Sequence, residues 1–149
     1  MRRMVKAAWT ATNSPRVGVL LARMIVWRLA LPALRCAVPL PTVVRLISPR
    51  PQPRARSPET ELLVIDLAQR VFGAPRSADR RCLDRSLLVY RFLSRANANP
   101  RLVLGLGRCD GQTMGHAWVT VDGSPVHDSV EVLAKFKPFT TFGGQRQDW

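Results

Sequence analysis

Cys82, His116 and Asp128 are the residues whose types and spacing can do chemistry together. A thiol is a strong nucleophile only as its thiolate, so it needs a base or a positive field to take up its proton. Cys82 lies near the start of an amphipathic stretch introduced by Ser77-Ala78-Asp79, where Ser77 or Asp79 is a plausible N-cap. If Asp79 is the cap, Cys82 falls in the first helical turn. There the helix dipole and free N–H groups lower a thiol pKa, and the residue's own N–H can donate into an oxyanion hole. His116 follows 34 residues later in an alternating stretch, and Asp128 follows 12 after that. Helix, strand and strand would then carry a nucleophile, its base and the group that orients the base. The plainer alternative is a buried core cysteine and an ordinary strand histidine, because free cysteine is among the most buried residue types. His127 is a rival base, but strand alternation turns it to the opposite face from Asp128. Cys109, in a polar loop, and Cys36, near the N-terminus, have no such context.

These side chains have to be held by the elements between Ser57 and the C-terminus. Ser57-Pro58-Glu59 is a helix start, with a capping hydroxyl, a proline at the first position and acids in the first turn. The helix should run to Phe72, where Gly73 and Pro75 stop it. The second helix covers residues 80–93, with Cys82, Ser86, Val89, Tyr90 and Leu93 on one side and Asp84, Arg91 and Arg95 on the other. After Pro100 the period becomes that of strands: Arg101 to Gly107, then Gly115 to Val121, then a strand from Pro125 to Asp128. Two helices followed by an antiparallel meander predict an α+β domain. Asp122-Gly123 is a strong hairpin signal. Pro125 cannot donate to a ladder and predicts a looser, three-residue or bulged turn; the three-residue loop sets Asp128 opposite Trp118 and diagonal to His116. The tail, with Phe136, Phe139, Phe142 and Trp149, is aromatic but aperiodic, and is expected to cover one sheet edge.

The charge is unevenly divided. The 149 residues carry 23 Lys and Arg against 10 Asp and Glu, a net of +13. Residues 1–58 contain 11 basic residues, no acidic residue and eight of the 12 prolines. The chain divides into a cationic, apolar helical arm (1–47), a Pro/Arg-rich linker (48–57) and a nearly neutral domain (58–149). With 46% hydrophobic residues, wholesale disorder is excluded. Arg16, Arg23, Arg28, Arg35 and Arg45 interrupt the apolar run of the arm, and Pro32, Pro39 and Pro41 are read as breaking any helix. A membrane span and a signal peptide both fit poorly. The arm is expected to form a helix from Val17 to Leu31 that packs on its own domain, lies on an anionic bilayer or occupies a partner's groove. No zinc-finger or RNP pattern accompanies the charge, so nucleic acid is not an expected partner. Three cysteines without CxxC or zinc spacing argue against a disulfide framework and a structural metal, and favour a reducing, cytoplasmic compartment.

Arg81-Cys82-Leu83-x-Arg85-Ser86-Leu87, Gly115-His116-Ala117-Trp118-Val119-x-Val121-Asp122-Gly123 and Val126-x-Asp128 together resemble the transglutaminase-like cysteine peptidases of lasso-peptide biosynthesis. The resemblance spans about residues 60–140 and is to the peptidase half of the split lasso B protein. It implies a papain/transglutaminase-like core, with the cysteine helix packed on a small antiparallel sheet. By the same resemblance Cys82 is the nucleophile, His116 the general base and Asp128 the orienting acid. It also implies leader removal from a ribosomally made precursor peptide, without metal or organic cofactor. The partners implied are a separate leader-binding protein (a RiPP recognition element) and an asparagine-synthetase-like, ATP-using cyclase. At Thr120 relatives often carry Glu. Transglutaminase-like acyl transfer to an amine needs the same triad, and a non-catalytic membrane-surface adaptor needs none of it.

Overall fold

The computed structural model describes residues 15–49, 55–73, 81–109 and 111–144. In chain order they form α1 (Pro15–Ala37), α2 (Leu40–Ile47), α3 (Pro58–Phe72), α4 (Cys82–Arg95), β1 (Arg101–Cys109), β2 (Gln112–Val121), β3 (Ser124–Pro125), α5 (Val130–Leu133) and β4 (Phe136–Gly143). The fold is α+β: helices packed on one antiparallel sheet of order β3-β2-β1-β4. Ser77 and Asp79 of the expected cap, Pro75, Asp110, Trp149 and half of the linker (50–54) lie outside the described residues.

The α3 boundaries follow the local chemistry read from sequence. Ser57 Oγ accepts from Thr60 N at 3.3 Å, Pro58 occupies the first turn, and Gly73 ends the helix at φ +80°. In α1 the reading of Pro32 as a breaker is corrected, for the helix runs through it and stops only near Pro39 and Pro41. An internal proline costs about 3 kcal/mol. Met24 and Leu31 are both fully buried, at about 1.5–3 kcal/mol each, which offsets that penalty.

α1 and α2 share one hydrophobic core with α3, α4 and the Leu102/Val119/Val121 face of the sheet. Polar contacts fix the docking. Arg91 lies 3.8 Å from the Trp27 ring centroid and donates to Ile47 O at 2.8 Å, so a side chain expected on the outer side of α4 is half-buried. Arg35 pairs with Asp84, and Arg28 covers the Phe72 ring. By length and composition α1 could cross a membrane, but its Val17, Met24 and Leu31 take part in the core.

The hairpin turn corrects the expected register. Val121 pairs with Ser124 and Thr120 with Pro125, so the loop has two residues. Both take left-handed angles, Asp122 at φ +52° and Gly123 at φ +82°, as a type I′ turn requires. Pro125 is tolerated because Val126 N bonds Val119 O at 3.1 Å, making Thr120–Pro125 the non-hydrogen-bonded pair in which no proline N–H is needed. Asp128 is therefore not on a strand. β3 ends at Pro125; after the Val126 N–H bond the chain leaves the ladder, bends through residues 126–128 and crosses to the far edge of the sheet.

The aromatic tail supplies that far edge as a strand. Leu104 pairs with Thr140 and Gly105 with Pro138, leaving Phe139 as the extra residue of a bulge. The bulge turns Phe142 and Phe136, six positions apart, to opposite faces. Phe142 joins the main core, while Phe136 packs with Val103 and Trp118 on the other face, beside Val132 and Leu133 of the crossover.

Candidate active site

Cys82 is the first residue of α4 and Arg81 its N-cap, with no side-chain cap bond from Arg81. The thiol thus stands at the positive end of a 14-residue helix. α4 meets the sheet at the edge of β2, since β3 pairs only with Thr120 and Val121. Ser86 Oγ donates to Ala117 O at 2.8 Å there, in effect continuing the ladder beyond Val126. The Ala117 N–H on the same edge favours the Cys82 thiolate. Cys82 and Ser86 are one helical turn apart, so the two backbone groups of one strand residue align the helix on the sheet.

His116 pairs with Gly105 across β1–β2 and is buried, 4% exposed. Its ring stacks on Phe136 at 4.8 Å between centroids and lies 6.1 Å from Trp118. The Trp118 ring lies over Gly105, where a Cβ would be 2.7 Å from that ring and 3.1 Å from Lys137 O. His116 Nε2 lies 3.5 Å from Asp128 Oδ1. That is loose for a hydrogen bond, as catalytic bonds often are before substrate arrives. With Nε2 turned to the carboxylate, Nδ1 is left for the Cys82 thiol, and the two groups lie close enough to shift each other's titration.

Asp128 is buried beside a guanidinium and two imidazoles. Arg85 Nη2 lies 3.2 Å from Oδ1, and His127 Nε2 lies 3.0 Å from Oδ2, with all three side chains about 2% exposed. Arg85, one turn beyond Cys82 on α4, is a fully buried cation whose role the sequence reading missed, as it missed the Ser86 contact. The available signal was an arginine on the inward side of an apolar helix: such a charge is retained only when paired.

The electrostatics follow from this arrangement. Burial pushes the Cys82 thiol up, but the His116 contact, the Ala117 N–H and Arg85 outweigh it and hold the thiol below its ordinary value. Burial lowers His116, yet the Asp128 carboxylate and the Cys82 sulfur raise it to about 9. Burial raises Asp128, while its two histidine contacts and the Arg85 charge hold it well below the usual carboxylate range. Both shifts run toward the thiolate–imidazolium pair. The structure thus brings Cys82, His116 and Asp128 together. His127 reaches only the outer oxygen of Asp128, Cys36 is exposed on α1, and Cys109 ends β1.

A helix-borne thiol facing a strand-borne histidine on an antiparallel sheet, with a carboxylate behind it, defines a class of proteins that activate a cysteine for acyl chemistry. A family model described as the transglutaminase-like superfamily matches residues 21–141, and the chain belongs to that superfamily. Its members are generally enzymes and include cysteine peptidases and acyl transferases. The match begins at Leu21, inside α1 and well before the 60–140 segment that carried the sequence resemblance, in keeping with the shared core. No curated protein and no solved structure matches the chain significantly.

Proposed function

We propose that this chain is a cysteine peptidase that removes the leader from a lasso-peptide precursor through Cys82, His116 and Asp128. The observation that carries this reading is the buried contact series from Cys82 through His116 to Asp128, anchored by Arg85. The Cys82 thiolate attacks the scissile carbonyl carbon, and the oxygen takes the electron pair. The Cys82 N–H at the start of α4 is placed to stabilise that oxyanion. Collapse of the tetrahedral intermediate expels the core peptide's amine, which takes the proton from His116. Neutral His116 then removes a proton from water, whose oxygen displaces Cys82 from the leader thioester. Asp128 keeps the imidazole oriented and stabilises its charged form. No metal or organic cofactor enters these steps. ATP chemistry belongs to a partner cyclase, and leader capture to a separate leader-binding protein in the cytoplasm.

Superfamily membership favours one second reading, acyl transfer from the same thioester to an amine. Precursor incubated with the chain, with and without the leader-binding protein, separates the two by mass spectrometry. Hydrolysis gives free leader and core, unchanged by added alkylamine. A leader bearing the amine would identify a transferase. Intact precursor in both mixtures, with Cys82 inert to a thiol-selective electrophile, would favour an adaptor with no catalytic role.

A further inference from the structure

We propose that the outward face of α1 is a docking surface for an anionic lipid bilayer, on which the helix lies in the membrane plane. At 100° per residue, Val17, Met24 and Leu31 point into the core, and Val19, Ala22, Val26, Leu29 and Ala33 point away from it. Val19, Val26 and Leu29 are 59%, 63% and 73% exposed, and no charged residue divides them. An amphipathic surface helix normally turns a polar face to water. Here the second face is as apolar as the first.

Charge selects the occupant. Arg16 and Arg23 are exposed along one border of the stripe, whereas Arg28 and Arg35 are engaged by Phe72 and Asp84 on the inner side. Residues 1–58 contain no acidic residue. A second copy would bring the same unneutralised arginines against each other. An anionic headgroup layer complements them, and its acyl boundary takes up the apolar stripe. The buried face fixes the orientation. A helix whose Met24 and Leu31 fill the core of its own domain cannot also be surrounded by lipid, so α1 lies on the bilayer and does not cross it.

The full chain is sedimented with vesicles of phosphatidylcholine alone or mixed with phosphatidylglycerol, without precursor, so the result is independent of the peptidase reading. Binding to the mixed vesicles should be at least about tenfold tighter, in line with two arginines near an anionic surface, and should weaken in high salt. V26D combined with L29D should abolish it, while circular dichroism and thermal unfolding stay unchanged because both sites are exposed. Arg16→Gln with Arg23→Gln should remove the preference for anionic lipid. The proposal is overturned by equal or no binding to the two vesicle types. Release from the anionic vesicles only by detergent overturns it too. So does use of this face for a dimer or for the leader-binding protein, seen in sedimentation velocity as an assembly that V26D/L29D abolishes.

Discussion

Replacing Asp128 with asparagine removes the carboxylate that does most to raise His116, while changing the volume of the site little. The His116 imidazolium is held to about 9 against an ordinary 6.5, even though burial alone acts to lower it. At about 1.4 kcal/mol per pH unit, that difference is roughly 3 kcal/mol in favour of the charged ring. Without Asp128, burial opposes only what remains of the Cys82 contact. The imidazolium should then titrate about 2 pH units lower, which shifts the balance from the thiolate–imidazolium pair toward the neutral pair by about a hundredfold and slows Cys82 alkylation. Two readouts test this: NMR titration of labelled histidine side chains, and the pH profile of iodoacetamide alkylation at Cys82. The D128N change also leaves the Arg85 charge facing a neutral side chain in a buried site, which destabilises the fold by about 3–5 kcal/mol. Combining D128N with R85M removes the buried cation together with the carboxylate it faces, and separates folding from chemistry. A His116 resonance still titrating near 9 in folded D128N would refute the reasoning, because no other carboxylate among the described residues contacts that ring.

Stability of the unmodified chain should follow the same groups. His116, with its folded pKa raised, contributes stability that is complete below about 6.5 and lost as pH rises through about 9. Asp128, with its folded pKa lowered, contributes stability present above its ordinary 3.8 and lost on acidification. Thermal midpoints measured across pH should therefore fall on acidification. On the alkaline side the lowered Cys82 thiol offsets the His116 loss, so Cys82→Ala should fall more steeply there than the parent chain, and an alkaline limb no steeper in Cys82→Ala would contradict the His116 assignment. Ser86→Ala leaves the buried Ala117 carbonyl without its donor, and should lower stability by about 1–3 kcal/mol in denaturant unfolding and slow Cys82 alkylation. Gly105→Ala drives a methyl into the Trp118 ring, and should destabilise by about 1–3 kcal/mol in the same assay.

Local chemistry is legible in the sequence, and long-range placement is not. Ser57, Pro58 and Gly73 bound α3 because caps and stops act within one turn. The strand period of β1 and β2 and the helix-terminal position of Cys82 can be read in the same way. Pro125 masks the Asp-Gly signal because the hydrogen-bonding parity of the pair, which makes the proline harmless, depends on the register itself. The tail looks aperiodic because the bulge at Phe139 breaks its period of two. Strand alternation pairs Asp128 with His116 through a ladder that is not there: three bent residues bring it in, and no periodicity encodes a bend. Arg85 and Ser86 find their partners 43 and 31 positions away, so their roles emerge only once the helix is docked on the β2 edge.

The nucleophile is tested most directly by quenching the chain in acid during turnover of precursor and measuring its intact mass. A leader acyl group should be found on Cys82, released by hydroxylamine as a thioester is, and absent from a folded Cys82→Ala variant that cleaves nothing. Cleavage of the precursor by Cys82→Ala at the unmodified rate, with no adduct on Cys82 in the parent chain, would contradict it.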